Sequence, residues 1–389
     1  MPIQITFDDL PAGYALSPAK PGDMVKVCTT EFCSSEDGDH FIRRLEGIPN
    51  NILAKLPSVI GVHPSTVDHL LAVIRQDKTA TIYINELKIL GLMQAKRDVK
   101  QGEPIYSNDI ADLKAIRFGD VEIPADAGVV FLFSAGWRKG LFFDLAPIQP
   151  KSDGPRTYDL SIALGQFYAY LMFQEFFKIS EPSWKRLFLQ GWFPFISLRT
   201  ETVQGLVNYA NAEWNLDELL IKISAEVKLG LPGWHENWKK GGHFSDHCNA
   251  LGVAVERFLA SDYISAVSVL YPRIEGVMRS YHVAATPNAP QTQTGLVESS
   301  LSSVDPVLRP HALLLPEKFR AYMTDVYFAN FDPKSPKGLS RNTVAHGVAS
   351  EDEYSEKAAI IGFLILQQLS FYMAAGTEGS NPAVEWDAP

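Results

Sequence analysis

Gly128-Val-Val-Phe-Leu-Phe-Ser-Ala-Gly-Trp137, followed across Arg138-Lys139-Gly140 by Leu141-Phe-Phe-Asp-Leu-Ala-Pro-Ile148, is the stretch on which the fold class turns. Both runs are apolar and aromatic, and their length suits strands better than helices. They predict a β-hairpin joined over Arg138-Lys139-Gly140, with Gly140 available for a positive φ. Beyond Tyr158 the period changes. Leu160, Leu164, Phe167, Tyr168, Leu171, Phe176 and Phe177 make a wide helical stripe that must pack against other elements. A strand-bearing region followed by helices reads as an α+β protein, mostly α.

Toward the N-terminus, Pro11, Gly13, Pro18, Pro21 and Gly22 punctuate an irregular arm with short strands. Asp39 to Leu45 and Ser65 to Arg75 show helical spacing; in the second, Val67, Leu70, Leu71 and Ile74 share one face. Thr79 to Leu87 alternates and is rich in β-branched residues, as a strand is. Residues 1–155 therefore read as a mixed α/β domain. Residues 156–240 read as a helical middle region, with a helix entered at Ser180 and Pro182 and others over Glu201 to Ala212 and Leu216 to Leu229. The Leu231 to Gly242 stretch, with its Pro, Gly and Trp residues, reads as a break and domain boundary. Residues 243–373 read as a helical bundle over His243 to Leu259, Asp262 to His282, Pro316 to Asn330 and Glu353 to Met373. Ala284 to His311, rich in Pro, Gln-Thr and Ser, reads as a long loop or partly disordered insertion, and residues 374–389 as a flexible tail.

A chain of 389 residues has room for two or three domains. With 46% hydrophobic and 21% charged residues it has ample core and no character of global disorder. Its net charge of −10 argues against a surface coated in phosphate-binding cations, so any nucleic-acid contact would be local. Cys28, Cys33 and Cys248 cannot form a disulfide framework and suit a reducing compartment. The N-terminus lacks a basic region followed by an apolar stretch. Ala358 to Met373, interrupted by Gln367 and Gln368, reads as a core helix too short to span a bilayer. A soluble, cytoplasmic protein without a membrane segment is expected.

The chemistry-bearing residues concentrate in Gly338-Leu-Ser-Arg-Asn-Thr-Val-Ala-His-Gly347. Arg341 supplies a fixed cation suited to a phosphate. His346 titrates near neutrality, and Asn342 adds a donor and an acceptor beside them. If the last helix begins inside this segment, the preceding loop can turn Arg341 toward His346. On the earlier helix, Glu275 and Arg279 stand at i and i+4. They form either a helix-stabilising pair or a support in which Glu275 reaches Arg341 or His346 and sets their orientation. Arg138 and Lys139 place two cations at the expected hairpin tip, as a phosphate-binding prong or as a solvated turn. His243, Asp246, His247 and Cys248 lie at short spacing, but no second pair with zinc-ligand spacing follows, and no metal is assigned. The belt Trp184, Phe188, Trp192, Phe193 and Phe195 could stack bases but reads as core.

The Arg-x4-His segment resembles the HEPN superfamily, whose four-helix bundles carry Arg-x(4–6)-His near the start of the last long helix, often with Asn or Asp after the Arg. Tyr263 to Arg279 resembles the family's second helix, and Leu315 to Tyr322 the element leading into the motif. The likeness covers His243 to Met373. It departs from the Arg-x4-His-x-Tyr pattern of toxin-type members, since Val348 stands in place of Tyr. The resemblance implies a conditionally activated, metal-independent endoribonuclease of stress response or antiviral defence, with no cofactor, acting as a homodimer with facing motifs. His346 would then be the acid/base group for attack by the RNA 2′-OH, Arg341 the phosphate ligand, and Asn342 the residue orienting one of them. Two alternatives stand beside it. One is a non-catalytic module whose bundle dimerises or docks a partner; the other is a small-ligand sensor with a pocket between the N-terminal sheet and the aromatic helices, the N-terminal region then taking a ligand or regulatory partner.

Overall fold

The computed structural model describes residues 2–57, 62–150, 154–304, 312–334 and 338–377. Helix accounts for about 49% and strand for about 16%, so the protein is α+β and mostly α. The strands are β1 (Ile3–Thr6), β2 (Tyr14–Ala15), β3 (Val27–Cys28), β4 (Thr30–Ser34), β5 (His69–Ile74), β6 (Thr79–Ile84), β7 (Ile89–Ala95), β8 (Ile110–Phe118), β9 (Gly128–Ala135) and β10 (Arg138–Asp144). The helices are α1 (Asp39–Glu46), α2 (Ile48–Ala54), α3 (Leu160–Met172), α4 (Gln174–Phe177), α5 (Glu181–Leu189), α6 (Thr200–Asn211), α7 (Leu220–Lys240), α8 (Cys248–Leu259), α9 (Tyr263–Ala285), α10 (Gln293–Ser300), α11 (Pro316–Tyr322), α12 (Arg341–Ala345) and α13 (Glu356–Thr377). They fall into two compact units, one of residues 1–94 and 113–174, the other of 95–112 and 175–389.

The first unit is built on a six-stranded sheet of order β1-β6-β5-β9-β10-β4, with antiparallel neighbours throughout. Side chains alternate across it. Leu70, Ala72, Ile74, Val130, Leu132, Leu141 and Phe143 share one core with Phe41, Leu45, Ile48, Ile52 and Leu53 of α1 and α2. On the other face α3 lays Phe167 against Phe32 and Phe142, at ring centroid distances of 4.4 and 5.1 Å, and Tyr168 against Phe133 at 5.7 Å. A sheet covered on both faces needs apolar residues at every position. This is why Ser65 to Arg75, expected to be helical, is a short 3-10 turn and then β5: a continuous run such as Leu70 to Ile74 also satisfies a helical template.

The hairpin forms, but its turn is displaced from the expected one. Arg138 pairs with Ala135, so the loop is Gly136–Trp137, with Gly136 at a φ of 61°. Arg138 and Lys139 are strand residues. Gly140 is needed for space instead: a Cβ there would meet the Phe133 ring at 2.8 Å.

In the second unit the stretch expected as a break at 231–242 is helical to Lys240. α7 runs unbroken through Pro232, and its buried Ile223, Val227, Leu231 and Trp238 supply the packing that offsets a proline in a helix interior. α7, α8, α9 and α13 then form a four-helix bundle in which each packs on two others, in the cyclic order α7-α8-α9-α13. The expected fourth member, Pro316 to Asn330, is α11 plus a single π turn at Met323–Tyr327, lying outside that ring. The expected loop after α9 contains α10, capped by Thr292 and buried through Leu296, Val297, Ser299 and Ser300; residues 305–311 of it lie outside the described residues. α13 continues to Thr377, so the expected tail begins later than 374, and residues 378–389 lie outside the described residues. By length and hydropathy Glu356–Ala374 could cross a membrane, contrary to the expectation that this stretch is too short, but 83% of its apolar window is buried as bundle core. Trp192, Phe193 and Phe195 of the aromatic belt are fully buried and Trp184 nearly so.

Two glycines test this packing. In α3, a Cβ on Gly165 would lie 2.7 Å from Ala115 Cα, a backbone atom that cannot yield. In α7, a Cβ on Gly233 meets nothing within 4 Å. Gly165→Ala is expected to lower stability by about 1–3 kcal/mol, and Gly233→Ala to raise it by about 0.5–1 kcal/mol. Urea or thermal unfolding followed by circular dichroism measures both.

Candidate functional site

The Arg-x4-His segment does not open the last long helix, as expected, but forms a helix of its own. α12 is a five-residue helix whose N-cap is Ser340: the Ser340 hydroxyl accepts from Thr343 N, and the Thr343 hydroxyl accepts from Ser340 N at 2.8 Å, closing a capping box. Ser340 also donates to Ala329 O at 3.0 Å, tying the cap to the chain leaving the π turn. Gly347, with a φ of 65°, follows the C-cap residue His346. The helix is too short to stand alone. Its buried Asn342, Thr343 and Val344 hold it against the bundle.

Arg341 turns inward to α9. Its Nε forms an ion pair with Oε2 of Glu275, whose side chain is only 4% exposed. The other carboxylate oxygen, Oε1, accepts from Arg279 Nε at 2.9 Å and Nη2 at 2.6 Å. Both readings of Glu275 thus describe the same residue: it is the i,i+4 partner of Arg279 and it reaches across to Arg341. One buried carboxylate between two guanidiniums leaves the cluster with net positive charge. The side chains of Arg341 and Arg279 remain 24% and 41% exposed. Arg279 Nη1 also donates to Gln291 Oε1 at 3.0 Å.

Asn342 is buried and largely committed to the fold. Its Nδ2 donates to Phe328 O at 2.9 Å and Ala329 O at 3.3 Å, and its Oδ1 accepts from Gln293 Nε2 at 2.9 Å. Arg341 Nη1 donates to the same Oδ1 at 3.4 Å, the one contact through which Asn342 touches the motif's cation. Asn342 therefore clasps carbonyls after the π turn rather than capping α12 through backbone amides.

His346 is exposed, its ring centroid 5.6 Å from that of Phe331. It stands five positions after Arg341, which places the two about 140° apart around the helix. No hydrogen bond or ion pair joins them among the described residues. The structure brings Glu275, Arg279, Arg341 and Asn342 together and leaves His346 free at the far end of the same turn. Gln293 and Phe331, which sequence reasoning did not single out, complete the surroundings. Gln293 lies in a segment that composition alone marks as slack. The Ser340-x-x-Thr343 spacing, by contrast, was a legible cap signal.

The remaining candidates are dispersed. Lys139 Nζ donates to Val67 O and to Ser134 Oγ, and burial lowers its pKa. Arg138 Nη1 donates to Leu171 O at 3.3 Å. Neither cation sits at the hairpin tip. His247 lies 3.1 Å from Ser280 Oγ through Nε2, His243 packs its ring on Tyr281 at 5.0 Å, and Cys248 Sγ donates to Phe244 O. No group of three or more potential metal ligands lies together among the described residues. A cavity of about 420 Å³ opens beside Gly338–Ser340, lined among others by Tyr271, Tyr322, Tyr327 and Lys357. Its tyrosine hydroxyls donate to backbone carbonyls, and Lys357 pairs with Asp217.

No family model, curated protein or solved structure matches this chain.

Because Glu275 is buried between two cations, Glu275→Gln is expected to destabilise by about 1–3 kcal/mol. In a Glu275→Gln/Arg341→Met double-mutant cycle read by urea unfolding, the two changes should couple by about 0.5–3 kcal/mol. Strict additivity would mean that the pair contributes nothing to the fold.

Proposed function

We propose that the helical unit is a metal-independent endoribonuclease of the HEPN type. The observation that carries this reading is a partly exposed arginine side chain, fixed by a buried carboxylate, at the start of the short helix whose C-cap is an exposed imidazole with no hydrogen bond at its ring nitrogens among the described residues. The four-helix arrangement of α7, α8, α9 and α13, with that short helix docked on α9, supports the same reading.

In this mechanism the 2′-OH of a ribose attacks the adjacent phosphorus. The bond from phosphorus to the 5′-oxygen of the next nucleotide breaks, leaving a 2′,3′-cyclic phosphate and a free 5′-hydroxyl. His346 takes the proton from the 2′-OH or returns one to the departing 5′-oxygen. Arg341 binds the non-bridging oxygens and offsets the charge that grows on them. Glu275 holds that guanidinium by its Nε and Asn342 Oδ1 accepts from its Nη1, so Nη2 is the group that would face a phosphate. Asn342 steadies the turn from beneath. Two protons must move, one on and one off, and the motif of each protomer carries one imidazole, so a homodimer with facing motifs completes the site.

A second reading has its own observation: Asn342 spends its amide on internal partners, and Arg341 on Glu275, as in a staple that holds α12 to the bundle. On this reading the unit dimerises or docks a partner without catalysis.

The experiment that separates them is cleavage of a labelled single-stranded RNA by the full chain in the presence of EDTA. The wild-type chain is expected to cut it. His346→Ala should lose about 10²–10⁴-fold in rate with an unchanged circular dichroism spectrum and melting temperature. Equal activity in that variant, or no cleavage by the wild-type chain, would remove the nuclease reading and leave the docking one.

A further inference from the structure

The cavity beside α12 belongs to no step of that mechanism. It holds about 420 Å³, within the range of sites that enclose small organic ligands. Its wall is assembled from the end of α5, the π turn at Met323–Tyr327, the entry to α12 and the start of α13 with the segment before it. Tyr271, Tyr322 and Tyr327 stand behind it, all buried. Each has given its hydroxyl proton to a carbonyl, those of Ala358, Gly191 and Tyr271 in turn. The tyrosines therefore offer an occupant no phenolic donor.

The more exposed lining residues are of two kinds. Leu189, Val326 and Leu339 are apolar, and Leu189 is 86% exposed at the last position of α5. An occupant with an apolar body would take that leucine out of water. The charged residues are mostly acidic. Glu353 accepts from Gly338 N at 2.6 Å and from Ser350 N at 2.9 Å. Asp325, exposed on the π turn, has no hydrogen bond or ion pair among the described residues. Lys357, the one cation of the wall among the described residues, pairs with Asp217 at 2.6 Å and lies over the Trp192 ring. Two carboxylates thus stand beside one ammonium that Asp217 already neutralises, and the wall is left negative. π turns are rare and recur at functional sites.

We propose that this cavity binds an organic ammonium ion, with its apolar body against Leu189, Val326 and Leu339 and its charged nitrogen at Asp325. A bare metal ion would leave the apolar wall unused, and an anion would meet two carboxylates. An uncharged ligand would strip water from Asp325 without return. Ser340, the N-cap of α12, belongs to the same wall, so an occupant lies against the cap of the helix that begins with Arg341. Binding is read without RNA, so its outcome is separate from that of the nuclease reading.

The test uses the full chain and three probes that share one body and differ in charge: phenylbutylamine, phenylbutanol and phenylbutyrate. Isothermal titration calorimetry gives the Kd of each. The amine is expected to bind about three- to tenfold tighter than the alcohol, with the carboxylate weakest. Asp325→Asn should weaken the amine by about the same factor and leave the alcohol unchanged. Leu189→Ser should weaken amine and alcohol alike, by about two- to fivefold. Both residues are exposed, so each variant should keep the wild-type circular dichroism spectrum and melting temperature. Absence of binding by all three probes overturns the site. Equal Kd values for amine and alcohol overturn its ligand class, as does an amine Kd that Asp325→Asn leaves unchanged. An amine Kd that neither variant moves places the probe elsewhere on the chain and overturns the assignment to this cavity. Should Asp325→Asn fold poorly, the order of the three probes on the wild-type chain still decides the class.

Discussion

The helical unit depends on one carboxylate. Glu275 sits almost wholly out of water on α9, and a lone charge there would cost several kcal/mol. Two guanidiniums from different parts of the chain remove that cost, Arg279 one turn further along and Arg341 across the bundle. The first partner is local and would form in an isolated helix. The second exists only when α12 has docked. The ion pair thus links the formation of a five-residue helix to that of the bundle, and it sets the direction in which the Arg341 guanidinium can face.

That dependence explains the mixed legibility of the site. Arg341, Asn342 and His346 were visible as residue types at a suggestive spacing, and Glu275 was a candidate because it stood one turn from Arg279. What no spacing carries is where a side chain on a short helix will aim. The expectation was a motif opening the closing helix, with Arg341 folded back toward His346. The structure instead ends α12 at Ala345 and begins α13 at Glu356, so Arg341 and His346 diverge. The decisive partner of Arg341 lies 66 positions earlier in the chain, counting from 275 to 341, and only tertiary packing brings it near.

The fold was legible where one period dominated and obscure where two templates fitted equally. The change from strand to helix after Ile148 was plain. Leu70 to Ile74 was not, because a strand buried on both faces has no polar side to mark its alternation. Pro232 was read as a stop and Pro272 was not, although both lie inside helices. The neighbours made the difference to the eye: Gly230 and Gly233 flank the first, and an apolar stripe surrounds the second. Burial of Leu231 and Trp238 decided the matter, and burial is not a local property. The displaced hairpin turn has the same origin, since two glycines flank Trp137-Arg138-Lys139, and cross-strand register chose Gly136.

The pair of amides in the middle of α13 carries a consequence for how the bundle assembles. Gln367 Oε1 accepts from the Trp238 indole at 3.0 Å. Gln368 Oε1 accepts from Ile196 N, and its Nε2 donates to Leu314 O, each at 3.0 Å. Three segments far apart in the chain are thereby keyed to one level of a helix that is otherwise greasy enough to slide or spin. A slip by a single residue would strand both amides in a dry interior, a penalty that no gain in apolar contact elsewhere would cancel. Two glutamines therefore act as an indexing pin, selecting one register among many of nearly equal hydrophobic merit.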